Sequence, residues 1–358
     1  MIDNLLFPTF VVGSLPRPRF IRDVIEDRRD GRVSVLDADR LLDSAIPLAV
    51  SMQERAGLTY VSDGEWRRES YIKVFSEHVD GFRLEAVPSV SRTIMDPAVI
   101  APLHQRELLA ADAARFLVQA TSRKTIVAIP SPYVLGWRTW HSELSRSAYP
   151  TREDFMNACV PILQREMRAL VEAGVDHIQI DEPWLLMLVD PEHRQRIGAT
   201  DVAKEIELCV RMVNAVVEAV SEVPTSVHFC HAHFNRQRFS DGGYEPIIDA
   251  LGDINVTRFA MEFSAPQSHG VEVLARFPKN KILGLGVIDH CDPKVEDAET
   301  VIARVEAALR YLPPDRVTLN PDCGFSPSTQ NPMNFDEAYL KLAAMCRAAE
   351  SLRARYTR

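Results

Sequence analysis

The sequence predicts an α/β chain folded as a single (βα)8 TIM barrel with an insertion between the second and third strands. Three observations predict it. Short apolar, β-rich runs alternate with longer helical patterns along the whole chain, as in a parallel sheet covered on both faces. Eight such runs fit in 358 residues, a length that barrels with insertions reach. Polar and ionisable residues collect at the carboxyl ends of these runs, and in a barrel those ends converge on one face. An open doubly wound sheet would share the alternation.

The strands are expected at 9–14, 59–65, 125–130, 177–182, 226–231, 258–264, 282–289 and 317–320. Helices fill most of the intervals. Asp37 opens the run DADRLLDSAIPLAVSMQERAG, which stops at Gly57. Thr151 precedes a second run, with Asp154 three residues on and Gly174 at its end, a pattern of N-cap and C-terminal glycine. Pro47 and Pro161 fall inside these runs, so each helix is expected to kink or to begin late. Residues 66 to about 120 are too many for a simple crossover. The stretch VDGFRLEAVPSVSRTIMDP there suggests a hairpin, followed by a helix. A last helix over 335–353 should cover the closing strand. Without a Gly/Ser linker or low-complexity tract, 1–358 reads as one domain.

Bulk composition narrows the function. Hydrophobic residues make up 46% and charged residues 25%, as in ordinary globular proteins, and a core of this size needs no disulfide staples. A net charge of -9 argues against a nucleic-acid or anionic-membrane partner. No apolar run approaches the roughly 18 residues of a membrane span. The opening MIDNLLFPTFVVGSLPRP has no basic start, so a secretory signal is not expected and the cytoplasm is the default location. Six scattered cysteines then suggest thiols or metal ligands rather than a disulfide framework. Cys159, Cys209 and Cys346 fall on helices as packing residues, whereas Cys291 lies close to the polar strand ends.

Those strand ends carry the chemistry. They hold Gly13-Ser14, Asp63-Gly64-Glu65, Asp181-Glu182-Pro183, the group His228, Cys230, His231 and His233, then Glu262, Asp289-His290-Cys291 and Asp322-Cys323-Gly324. His228 and Cys230 are two apart on a strand and share a face. Glu262 is flanked by Phe259, Ala260, Met261 and Phe263, which implies burial, and a buried carboxylate needs a partner. With Cys323 these residues offer one nitrogen, two sulfurs and one oxygen, a set suited to tetrahedral zinc. Ligands drawn from separate strands point to a catalytic ion rather than a structural knuckle. The alternative is a small core cysteine with a hydrogen-bonded histidine beside it. His231 and His233 could also reach a metal, or stand behind its ligands.

The pieces VVGSLPRP, SDGEWRR, QIDEPWL, HFCHAHFN, FAMEFS, LGLGVIDHCDP and LNPDCGF resemble, in order, the landmarks of the cobalamin-independent methionine synthase family. The resemblance runs from about residue 11 to about 325 and is to the carboxyl-terminal catalytic barrel of a two-barrel enzyme. It implies zinc held by His228, Cys230, Glu262 and Cys323. It implies that Glu65 and Asp181 face the ammonium of homocysteine, with backbone near Gly13 and Ser14 at its carboxylate. Trp137 occupies the place where the family stacks the pterin of its folate donor. The family carries a leaving-group acid, often histidine, after its seventh strand; here Cys291 aligns there with His290 just before it, and Asp289 and His290 are the expected catalytic pair. After Pro-Asp-Cys-Gly the family continues with basic residues, whereas this chain reads FSPSTQNPMN. The changed rim and the missing amino-terminal barrel make a methylcorrinoid, free or protein-bound, an alternative donor to methylated folate.

The implied activity is zinc-dependent methyl transfer to a small thiol, homocysteine, giving methionine. Rivals are alkyl transfer to another small thiol, as in epoxyalkane:coenzyme M transferase, a metal-free decarboxylase-like barrel, and a non-catalytic thiol- or metal-binding protein. Retained Glu65 and Asp181 favour an amino acid over a sulfonate.

Overall fold

The computed structural model describes residues 5–88, 95–199, 201–240, 242–264, 270–326 and 332–357. Seven parallel strands form its central sheet: β1 (Tyr60–Val61), β4 (Lys124–Pro130), β5 (His177–Asp181), β6 (Thr225–Phe229), β9 (Arg258–Met261), β10 (Ile282–Ile288) and β11 (Val317–Pro321), hydrogen-bonded in that order. Two antiparallel pairs stand apart: β2 (Val79–Pro88) with β3 (Met95–Gln105), and β7 (His233–Phe234) with β8 (Gln237–Arg238). The helices are α1 (Arg19–Arg29), α2 (Val35–Ala56), α3 (Lys73–His78), α4 (Ala111–Ala120), α5 (Pro132–Thr139), α6 (Arg152–Glu172), α7 (Trp184–Met187), α8 (Pro191–Ile197), α9 (Val202–Val217), α10 (Ala298–Ala308) and α11 (Phe335–Tyr356).

The stretch expected as a first strand at 9–14 pairs at one residue only, Thr9 with Leu319. Pro8 has no N–H to give, and Gly13 at φ 129° turns the chain out of the extended region. The short segment nonetheless reaches both edges of the sheet. Phe10 N–H donates to the Leu319 carbonyl at 3.1 Å, Leu319 N–H to that of Pro8 at 2.8 Å, and Tyr60 N–H to that of Thr9 at 3.0 Å. The second expected strand shortens from 59–65 to Tyr60–Val61, because Gly64 and Glu65 both take positive φ in a turn. Glu262 lies just past β9 rather than on it.

Two helix expectations are corrected. The first long helix begins at Val35, with Ser34 as its cap: the Ser34 hydroxyl accepts from Asp37 N–H at 3.1 Å, so Asp37 sits in the first turn. Neither long helix begins late, since α2 and α6 run through Pro47 and Pro161. Thr151 and Asp154 form a reciprocal capping box on α6. Between β1 and β4 the chain forms α3, the β2–β3 pair and α4; residues 89–94 of the expected hairpin lie outside the described residues. The α4 amino terminus is tied to α6 by buried Glu166, whose carboxylate accepts from the N–H groups of Leu109, Ala110 and Ala111 at 2.7, 2.7 and 2.8 Å.

Period-two alternation sorts the strand residues. Val227 and Phe229 join the large apolar core with the helices, and Phe229 stacks on Phe259 with ring centroids 5.9 Å apart. Ser226 and His228 point the other way, and the parallel register sets His228 opposite Asp181.

Candidate metal and substrate site

His228 near the end of β6, Cys230 just past it and Cys323 just past β11 come together. Their ligand atoms lie within 4.8 Å of one another, and all three side chains are buried. His228 Nδ1 is 3.3 Å from Asp181 Oδ1, as the β5–β6 register dictates. Its Nε2 is buried with no oxygen or nitrogen partner among the described residues. Burial opposes a charge on Cys230, but the Cys323 thiol and the His228 and His233 imidazoles outweigh it and hold the Cys230 thiol well below its ordinary range. Cys323 moves the other way, pushed up by its hydrogen bond to Cys230 and by burial. The His228 imidazole is raised despite burial, by Cys230 and Asp181. A buried thiolate, a second thiol and an imidazole nitrogen without a partner are the donors that zinc takes. The residues present fit the ion that the sequence implies.

Glu262 is placed beside this group. Its carboxylate accepts from His231, at 2.7 Å from Nδ1 and 3.2 Å from the backbone N–H, and lies 3.3 Å from His233 Nε2. With Cys230 and His233 it forms a second cluster within the same 4.8 Å span. Burial works against its charge, but His233 and His231 keep it below the ordinary carboxylate value. His231 is raised to about 9 against burial by Glu262, and its Nε2 sits 2.8 Å from the Gly242 carbonyl.

Two residues position Glu262: Asp322, named above only among the polar strand ends, and Arg238, which the sequence did not single out. Asp322 takes the N–H groups of Phe263 and Ser264 at 3.1 Å each and the Ser264 hydroxyl at 2.6 Å, fixing the loop after β9. Burial and then Glu262 push its carboxyl to about 7. Arg238 spans 3.3 Å to Asp322 and 3.6 Å to Glu262. Asp322 stood next to Cys323 in a recognisable run; nothing in the sequence pairs Arg238 with it.

The substrate-side expectations fall on one wall. Glu65 is buried, and a Cβ placed at Gly13 would stand 2.5 Å from its Oε1, so only glycine allows this approach. The positive φ of 57° at Glu65 is held by Asp63, whose carboxylate accepts Glu65 N–H at 2.9 Å. Burial drives the Glu65 carboxyl to about 7; Arg68, 3.7 Å away, pulls it down and Asp181 pushes it up. Gln179 donates to Asp181 Oδ1 and to the Val12 carbonyl, each at 2.9 Å, which joins Asp181 to the segment carrying Gly13 and Ser14. The Ser14 hydroxyl accepts from Ser326 N–H at 3.1 Å.

Three expected roles meet a different setting. Trp137 is a core residue, with the Arg152 guanidinium 3.5 Å from its ring centroid and Trp184 stacked 6.0 Å away, so its ring is already covered by packing. Asp289 accepts Cys291 N–H at 2.8 Å and thereby shapes the loop after β10. His290 is buried, and burial followed by its neighbour His233 holds its imidazole well below the ordinary value, hence neutral. The residues 327–331 of the altered rim lie outside the described residues.

Comparison with known proteins places the chain in a family. Residues 7–351 match the family model of the cobalamin-independent synthase catalytic domain. A methionine synthase of Pyrococcus abyssi is 27% identical over 351 residues, covering 97% of this chain and 93% of its own. One from Saccharolobus solfataricus is 26% identical, covering 97% and 95%. Among solved structures, a B12-independent methionine synthase from Shewanella sp. W3-18-1, in complex with selenomethionine, superposes with a TM-score of 0.81 at 22% identity, covering 98% of this chain and 99% of that one. At that identity the likeness shows the fold.

Proposed function

The chain belongs to the family of the cobalamin-independent synthase catalytic domain, and on that premise we propose that it is a thiol S-methyltransferase of the methionine synthase type, moving a methyl group onto homocysteine to give methionine. The observation that carries the chemistry is the buried His228–Cys230–Cys323 group, with an imidazole nitrogen that has no oxygen or nitrogen partner among the described residues. We assign these three as zinc ligands and Glu262 as the fourth. Bound there, zinc supplies stabilisation of the substrate thiolate, which for a free thiol of pKa about 8.5 is a minor species at neutral pH.

The protein's own groups do the rest. Asp181 accepts from His228 and so fixes which ring nitrogen is left for a ligand. Glu65 and Asp181 receive the substrate ammonium, and the backbone at Gly13 and Ser14 receives its carboxylate. Holding the sulfur and the donor methyl in line supplies much of the acceleration. Two carboxylates on this wall repel a sulfonate, which sets the amino acid above coenzyme M as acceptor. The donor is a methylated folate or a methylcorrinoid. We read residues 8–10 as the eighth stave that closes a (βα)8 barrel, with 1–358 as one catalytic domain. No described helix is long and apolar enough to cross a membrane, and we place the reaction in the cytoplasm.

The test pairs metal content with turnover. Cys323→Ser and His228→Ala should each lose zinc by elemental analysis. Each should also lose methionine formation from homocysteine, with methyltetrahydrofolate, its polyglutamate and methylcobalamin supplied in parallel. Full turnover in a variant that binds no zinc would remove the proposal.

A further inference from the structure

We propose that His233, His290 and Cys291 form a second metal-ion site, next to the His228–Cys230–Cys323 group, that takes a borderline-soft cation such as zinc. The ligand atoms of these three residues lie within 4.8 Å of one another. Cys291 Sγ is 3.6 Å from His290 Nε2, and the His233 and His290 rings stand edge to face with centroids 4.2 Å apart. Two nitrogens and a sulfur make a donor set for zinc or another borderline-soft ion, and not for magnesium or calcium.

The independent observation is the state of the nitrogens. Nδ1 of His233 and Nδ1 of His290 are buried without an oxygen or nitrogen partner among the described residues, while His233 Nε2 faces the Glu262 carboxylate at 3.3 Å. A buried polar atom that nothing meets is destabilising. A cation within reach of these side chains meets them. The backbone presents His233 deliberately: Ala232, Asn235 and Arg236 all take positive φ around the tight β7–β8 pair. Strained non-glycine residues of this kind are unfavourable and cluster at functional sites. The surrounding charge suits a cation, since Asp289, Glu262 and Asp322 act on Cys291 against the single guanidinium of Arg238. Access is available as well. Of the six cysteines, Cys291 alone is not buried.

This site uses none of the three residues of the first group, so the two are counted separately. Protein equilibrated with excess zinc and then dialysed should retain two zinc per chain by elemental analysis. Cys291→Ser and His290→Ala should each retain one, Cys323→Ser the other one, and the Cys291→Ser/Cys323→Ser double variant none. Zinc should also slow alkylation of Cys291 by a maleimide at least tenfold, which reports on the site without any variant. One zinc per chain in the wild type that survives Cys291→Ser, together with an alkylation rate indifferent to zinc, overturns the second site. One zinc that survives Cys323→Ser but is lost in Cys291→Ser overturns the first site and leaves the second standing.

Discussion

Replacing Glu65 by glutamine should stabilise the fold and weaken substrate binding, and the size of both effects follows from its surroundings. Its carboxyl moves from 4.5 to about 7, chiefly through burial, with Arg68 offsetting and Asp181 adding to the rise. The folded state therefore keeps a proton that the unfolded chain releases between those two values. Stability is lost as pH rises through that window, the reverse of an ion-paired carboxylate. At 1.36 kcal/mol per unit the full cost of ionising Glu65 is about 3 kcal/mol, and about 2.5 kcal/mol of it appears between pH 5 and pH 8. The glutamine variant has no such group. Its urea-unfolding free energy should gain on the wild type by about 2.5 kcal/mol over that interval, a comparison that cancels other titrating groups. A gap that is the same at both pH values refutes the assignment of a costly buried charge. The same variant should bind homocysteine roughly ten- to a hundredfold more weakly, because a charge-assisted hydrogen bond of about 1.5–3 kcal/mol is gone. Calorimetry on the wild type below pH 7 should show proton release on binding, since an incoming ammonium favours ionised Glu65. Undiminished affinity in the variant would take Glu65 out of the ammonium site.

Two further outcomes concern the scaffold. Glu166→Ala should destabilise by about 3–5 kcal/mol in urea unfolding, because three buried N–H groups lose their acceptor at once; a loss under 1 kcal/mol would show that water replaces the carboxylate. Arg138→Leu should cost about 3–5 kcal/mol by leaving Asp96 buried and unpaired, since Arg138 Nε and Nη2 now reach Asp96 at 2.5 and 3.0 Å. Adding Asp96→Leu should then recover most of that loss, and a purely additive double variant would contradict the pairing.

The parallel α/β order and the convergence of polar strand ends could be read directly, because both depend on local pattern. His228 and Cys230 share a face by strand geometry, and Cys323 meets them because β6 and β11 both end at that face. Strand limits were less readable. At 9–14 the apolar alternation continues past Pro8, but a missing donor and a left-handed glycine leave a single paired residue. Proline inside a helical run points to a kink or a late start, and α2 and α6 run through it from starts well before it. Partners across the chain had no local signal at all. Glu166 meets residues 55 to 57 positions away, and Arg238 reaches Asp322 across 84. The neighbours of Trp137 were equally unreadable: Arg152 and Trp184 pack against its ring from other parts of the chain.

One feature readable as pattern becomes mechanical only in three dimensions. The run LGLGV places Gly284 and Gly286 two apart on β10, hence on one face of the strand. A Cβ at Gly284 would stand 2.7 Å from Asn320 Oδ1, and one at Gly286 2.3 Å from Asp322 Oδ1. The polar residues are themselves two apart at the end of β11, so the glycines form a slot into which alternate side chains of the next strand fold. Through that slot Asp322 reaches the loop beyond β9, two strands away, and takes its N–H groups. Glu262 precedes those N–H groups by one and two residues, and a Cβ at Gly286 would also stand 3.0 Å from its Cα, so both glycines bear on the direction of its carboxylate. Site residues are sought among those that have side chains; here the place of a buried carboxylate is set partly by two residues that have none.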